Sequence, residues 1–393
     1  MIDSDAQPAE TQTAHGEEER RPKKRRERGL RRWAKFARRR ARLVAGALIV
    51  VIFYAVALFA DFLAPYDYRA QSRNEPMAPP SAIHFRDAEG RLRLRPFIYA
   101  RRLVDPLEGR YEEQPARAFP LALFVRGSSY RLCGLFETNI HLFGIERDAD
   151  GRDVGDARDA RDARDAPRAQ LLGTDALGRD RLSRLLRGAR FSLIVGPLGM
   201  LLASVLGIAL GCVAGYGGRV LDAVLMRAAD VMMALPALVL ILAARAAFPL
   251  ELPPARAALL LISIFIAVGW AEIARLTRGL VLALKRREFV LAAAALGLSQ
   301  KRILFRHILP NAARPLLVQM TLMLPFFLLT ETALSFLGVG LQEPEASWGN
   351  MLAAAGDITQ LGDHPFELLS PALAIFIFVL GARLLSDGLK ATR

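Results

Sequence analysis

Six apolar runs, each long enough to cross a hydrocarbon core, constrain this chain more than any motif in it. A bilayer interior about 30 Å thick takes roughly 20 residues of helix, because a helix satisfies its own backbone where no water can. The runs fall at about Leu43 to Ala60, Phe191 to Tyr216, Val231 to Phe248, Ala257 to Ala274, Leu316 to Leu337 and Pro371 to Leu385. A chain of 393 residues with 53% hydrophobic content can also be a large soluble enzyme, so the clustering decides. It points to an all-α polytopic membrane protein with six transmembrane helices. The first run begins only at Leu43 and no small-residue cleavage site follows it, so it is expected to stay as an anchor and not to leave as a signal peptide.

Charge sets the expected orientation. The formal net charge is +14, and much of it sits in Arg20 to Arg40, a run that ends against the first span. Such a run reads as a cytoplasmic tail drawn to lipid headgroups and not as a nucleic-acid arm, because Lys and Arg flanking a span mark its cytoplasmic side. Trp33 and Phe36 can anchor at the interface, and the polar Met1 to Glu19 is expected to be disordered. With the N-terminus inside, the second and fourth loops should be basic. The fourth carries Arg278, Lys285, Arg286, Arg287, Lys301, Arg302 and Arg306, whereas Gly338 to Ser370 has no Lys or Arg. Both termini are therefore expected in the cytoplasm, with residues 1–42 as the tail and 387–393 as the C-terminal end.

Between the first two spans lies a long stretch of different composition. Arg91 to Leu103 and Phe119 to Phe136 alternate polar and apolar residues, as half-buried strands do. A small, mostly β extracytoplasmic insert over residues 64–155 is expected, which either braces the membrane part or meets a partner. DARDARDARDA, Asp156 to Ala166, has no apolar face to pack and reads as a charged tether within 156–170.

The fourth loop, 277–312, has an internal logic of its own. Phe289, Ala292, Ala293 and Leu296 recur at helical spacing; Gly297 can close a helix in the left-handed conformation; Ser299 can cap the next helix; Pro310 lacks the donor a continuing helix needs. A helix, a sharp turn and a second helix are expected. Ala292, Ala293, Gly297, Leu309 and Pro310 together resemble the signature loop of permease subunits of binding-protein-dependent ABC importers. That resemblance implies a cytoplasmic docking element for ATPase subunits, formed here by Glu288, Leu291, Ala292, Ala293, Gly297, Ser299, Arg306, His307, Leu309, Pro310 and Asn311. The family usually has Glu where this chain has Leu291, so the ion pair that Glu makes is not expected here.

Leu171 to Gly196 reads as an interfacial helix over 171–190 leading into the second span, with Thr174 or Asp175 as its cap. Leu177, Leu182, Leu185 and Leu186 would form its apolar stripe. GTDALGRDRLSRLLRGARFSL closely resembles the segment before the second span in the C-type subunits of dipeptide and oligopeptide ABC permeases, and Glu331 to Leu352 is similar to the same subfamily. The matching motif residues are Gly173, Thr174, Asp175, Gly178, Arg179, Asp180, Ser183 and Arg184. The resemblance implies a permease core over 191–386 with five spans, a second similar permease subunit, and a separate substrate-binding protein.

Polar residues at membrane depth are few. Glu331 is the candidate for the translocation path or an outer gate; Arg227 and Asp230 can pair at i,i+3 near Asp222. No G-x-x-x-x-G-K-[ST] loop appears, so nucleotide chemistry is expected on partner subunits. The cysteines Cys133 and Cys212 and the histidines His15, His84, His141, His307 and His364 show no pairing or metal-ligand spacing, and no cofactor is expected. The leading expectation is peptide import as a transport subunit and not as an enzyme. An ion-gradient transporter, or an ABC permease for nickel, glutathione or another small solute, are the alternatives, and the former is expected to show inverted repeats or several intramembrane carboxylates.

Overall fold

A computed structural model describes residues 40–106, 109–132, 134–145, 168–354 and 365–390. The basic tail before Arg40, Cys133, the tether, His364 and the last three residues lie outside these.

The described chain is a helical membrane bundle carrying a small antiparallel sheet. Five helices are long and apolar enough to span: α1 (Arg40–Leu58), α3 (Arg181–Tyr216), α6 (Pro254–Lys285), the continuous helix Gln300–Phe336, and the Leu369–Lys390 part of α11 (Pro365–Lys390). The short α2 (Ala60–Leu63) follows α1, and the short α10 (Trp348–Ala354) precedes α11. The third apolar run is not the straight span expected over Val231 to Phe248. It is split into α4 (Gly218–Ala234) and α5 (Ala237–Ala246), which meet at 89°. The break falls at Leu235–Pro236, where proline removes the donor and pushes its predecessor into extended backbone. At 1.5 Å per residue α5 covers only about 15 Å, so a sixth span exists only if the bent pair counts as one.

Glycine sets how closely the helices approach. A Cβ on Gly207 would meet Trp270 O at 2.5 Å, on Gly211 Ala274 O at 2.5 Å, and on Gly215 the Val281 side chain at 2.6 Å. These lie four residues apart on one face of α3, so α6 packs backbone to backbone along it, the way helices associate in lipid where apolar burial gives no drive. Gly196 similarly admits Leu328, and Gly46 of α1 meets Leu385 and Gly381 of α11. Around these seams the core is filled by Leu193, Leu261, Phe265, Phe327, Leu328, Trp348 and Phe378.

Charges tie α4 to α6 at one end. Asp222 takes Arg278 through two hydrogen bonds, the second 2.6 Å, and Asp230 pairs with Arg275. Asp230 thus has its partner across the helix pair, where an i,i+3 pairing with Arg227 was expected, because α6 runs on through Arg275 and Arg278 as helix and brings both guanidinium groups alongside.

The sheet is a meander in the order β1 (His84–Arg86), β2 (Leu92–Asp105), β3 (Arg110–Leu132) and β4 (Phe136–Ile145). The two alternating segments are β2 and β3. Ile98, Ala100, Phe119 and Ile145 form its small core with Ala169. His141 joins sheet to bundle, its ring lying 2.5 Å from the Ala64 carbonyl on one side and 3.0 Å from that of Ser128 on the other.

Candidate functional site

Two constellations stand out, at opposite ends of α3. The first is the loop between α6 and Gln300–Phe336. Arg286 ends α6, α7 (Glu288–Ala295) follows, and Gly297 turns the chain at φ 79° into α8 (Gln300–Ile303). Leu298 N donates to Ala293 O and Gly297 N to Ala294 O, the pair of bonds that closes a helix at a left-handed residue. Nothing lies within 4 Å of a Cβ placed on Gly297. Glycine is therefore required for its dihedral and not for space, and a β-branched residue there costs roughly 1–2 kcal/mol or more. Gly297→Asn is expected to keep transport close to wild type, since Asn tolerates this conformation, and Gly297→Val to lose most of it. Uptake and partner retention measured on both variants check this.

Burial divides the loop into two faces. Val290, Ala293, Ile303 and Ile308 pack with Cys212 of α3 and Val281 of α6. Ala293, assigned from sequence to the docking element, therefore faces the bundle, where its small side chain lets α7 lie close. The outer face carries Phe289, Leu291, Leu296 and Phe305, with Leu296 81% and Phe305 68% exposed. Glu288, Ala292, Ser299, Arg306, Pro310 and Asn311 are also exposed, while His307 and Leu309 are half-buried. Leu296 and Phe305 carried no signal as contact residues, because helical periodicity alone marks apolar positions as core.

Two capping expectations are corrected. Ser299 occupies the N-cap position of α8 with no side-chain capping bond. Pro310 does not end a helix. The turn Leu304–Ile308 widens to a π-helix, and α9 (Leu309–Phe336) continues through Pro310 in its first turn. The wide turn relieves the clash a proline ring makes with the carbonyl four residues back. Asn311 Nδ2 donates to the His307 carbonyl at 2.6 Å just beyond it.

The second constellation is a clasp at the N-terminal end of α3. The expected interfacial helix over 171–190 is a tight turn followed by the start of α3, capped by Asp180 and not by Thr174 or Asp175. Asp180 accepts from Ser183 N at 2.8 Å and Ser183 Oγ at 2.6 Å, and burial pushes its carboxyl up to about 6. Thr174 and Asp175 work inside the turn. Thr174 Oγ1 donates to Glu75 O at 2.6 Å and accepts from Ala78 N at 2.7 Å, while Asp175 accepts from Leu177 N and Arg179 N. Gly173 and Gly178, at φ 75° and 69°, lie where any Cβ would strike Ala78 O or Ser72 O. Leu177 belongs to the turn and is exposed, outside any helical stripe.

Arg179 and Arg184 then reach Glu343, and Arg179 Nε also holds Asp175 at 2.7 Å. Glu345 beside it takes Tyr68 at 2.8 Å and Arg69. The clasp thus fastens the segment after α2, the α3 turn and the loop after α9. Glu343 and Glu345 were missed from sequence because their partners are more than 150 residues away.

Glu331 belongs to α9. It is fully buried beside Ser192 of α3, its Oε1 accepting from Ser335 Oγ at 2.9 Å. Arg245, unremarked in the sequence, is buried at the end of α5 and gathers the carbonyls of Phe248, Pro249 and Leu250. Among the described residues no cluster of three metal-ligating side chains occurs.

Two family models match parts of this chain. Residues 207–391 match the binding-protein-dependent transport system inner membrane component, and residues 30–80 match the N-terminal transmembrane domain of oligopeptide transport permease C. The chain is 39% identical over 221 residues to the oligopeptide transport system permease protein OppC of Bacillus subtilis, covering 56% of this chain and 69% of that one. It belongs to the dipeptide/oligopeptide permease subunits of ABC importers. It is also 38% identical over 218 residues to the dipeptide transport system permease protein DppC of Alkalihalophilus pseudofirmus, covering 56% of this chain and 69% of that one, and 40% over 223 residues to the di/tripeptide transport system permease protein DppC of Pseudomonas aeruginosa, covering 56% and 70%. The four strands of this permease lie between the two family matches.

Proposed function

We propose that this permease forms part of a peptide path through the inner membrane and is driven by separate cytoplasmic ATPase subunits. The observation that carries the reading is the exposed apolar set of Phe289 and Leu291 on α7, Leu296 at its C-terminal cap and Phe305 in the wide turn after α8, with Arg287, Arg302 and Arg306 also exposed, on a loop whose other face is locked to α3 and α6. An exposed Phe and Leu cluster on a rigid mount suits insertion into a groove of another protein. Movement of that loop would be passed directly to α3 and α6, a rigid-body mode of switching.

The loop and both termini lie on the cytoplasmic side, and the clasp and sheet outside. A second, similar permease subunit completes the path, an extracytoplasmic binding protein delivers the cargo, and lipid surrounds α1. The chain itself holds no cofactor and performs no hydrolysis. The test is uptake of a labelled tripeptide by the reconstituted complex in proteoliposomes. The expected result is uptake that requires ATP and stops with vanadate. Uptake that persists without the ATPase subunits and follows an ion gradient would overturn it.

A further inference from the structure

A cavity of about 610 Å³ opens between the bent pair α4–α5 and helices α6, α9 and α11. That is the size range of small-ligand sites. Its walls are mostly apolar and adaptable, with Met232, Met233, Met323 and Phe326 among them, the unbranched or flat side chains that accommodate varied contents. Three polar groups interrupt them. Glu272 of α6 accepts from Gln319 Nε2 of α9 at 2.6 Å, and Arg383 of α11 brings the opposite charge to the same cavity.

The depth of Glu272 is what makes it informative. Its near neighbours in sequence, Trp270 and Ile273, pack on Gly207, inside the apolar run of α3. A carboxylate within a span is costly and is kept where it faces a cavity or a partner charge. Glu272 is exposed and is in no ion pair among the described residues, in contrast to Asp230 and Asp222 below it, which are matched by Arg275 and Arg278. Its hydrogen-bond partner among the described residues, the Gln319 amide, orients the carboxylate without neutralising it.

We infer that Glu272, held by Gln319, receives the cationic amino end of the passing peptide, with Arg383 offering its charge to the carboxylate end. The inference rests on the peptide reading above. A zwitterion with variable side chains asks for this combination: two opposite charges in a cavity otherwise lined by thioethers and aromatic rings.

The test uses the full complex, with the permease pair, ATPase subunits and binding protein in proteoliposomes. It reads tripeptide taken up per ATP hydrolysed. Glu272→Gln keeps shape and hydrogen bonding but not charge, and is expected to lower this ratio about tenfold, while Glu272→Asp retains most of it. An unchanged ratio in Glu272→Gln, even if both rates fall together, would assign Glu272 to assembly and overturn the inference. Equal loss in the Gln and Asp variants would also overturn it, because charge would not be what matters. Absence of tripeptide uptake by the wild-type complex would sink the peptide reading itself, and this inference with it.

Discussion

A Gly211→Leu variant is expected to give almost no folded permease. The Cβ alone would lie 2.5 Å from the Ala274 carbonyl and 2.6 Å from Thr277 Cβ, and the obstacle is backbone, which cannot rotate away. Ordinary overpacking costs 1–3 kcal/mol. Here α3 and α6 must separate along their whole seam, including the contacts at Gly207 and Gly215, so the loss exceeds that range. Gly279 of α6 is the matched control, because nothing lies within 4 Å of a Cβ there. Gly279→Ala is expected to leave yield and melting temperature unchanged or slightly raised, as helix propensity favours Ala by about 1 kcal/mol. Monodisperse yield after detergent extraction and the thermal midpoint of each variant are the measurements. Normal recovery of Gly211→Leu would mean that the two helices are not in backbone contact.

The second large effect belongs to the loop. Replacing Leu296 and Phe305 with Asp is expected to detach the ATPase subunits while leaving the bundle intact. Both side chains point away from the cluster of Val290, Ala293, Ile303 and Ile308 that fixes the loop, so the fold does not depend on them. Burying a Leu or Phe contributes about 1.5–3 kcal/mol, and placing a carboxylate in the same groove adds a desolvation cost. A combined loss of at least about 3 kcal/mol corresponds to a weakening of more than about a hundredfold. Leu291, exposed on the same side, stands where the family has Glu. On the proposed docking role, shape supplied by these apolar side chains is the expected main hold on the partner.

What was legible in the sequence followed from local physics. Apolar length gave the spans, alternation gave β2 and β3, and glycine at 297 gave the turn, because each is decided within a few residues. What was not legible depended on neighbours far along the chain. A window over Val231 to Phe248 averages across the Leu235–Pro236 break, and Pro310 reads as a stop unless the widened turn before it is known. Thr174 and Asp175 look like caps, yet their partners lie at Glu75, Ala78 and Arg179, so the cap passes to Asp180. Glu331 drew attention as the lone acid of its run and turned out sealed against α3. Glu272, inside the run Ala257 to Ala274, was not singled out from sequence, because Gln319, which α9 brings against it, lies 47 residues away.

The measurement that bears most directly on how this permease is driven is the affinity of the purified ATPase subunits for the permease pair, titrated in detergent or nanodiscs. The wild type is compared with the Leu296→Asp, Phe305→Asp double variant, and with Phe136→Asp, a substitution of an equally exposed aromatic on the sheet. Weakening by about a hundredfold or more in the double variant, with Phe136→Asp unchanged, is the predicted result. Equal affinity for all three, or loss only with Phe136→Asp, would contradict the assignment of the exposed apolar face of the α6–α9 loop as the surface through which ATP drives transport.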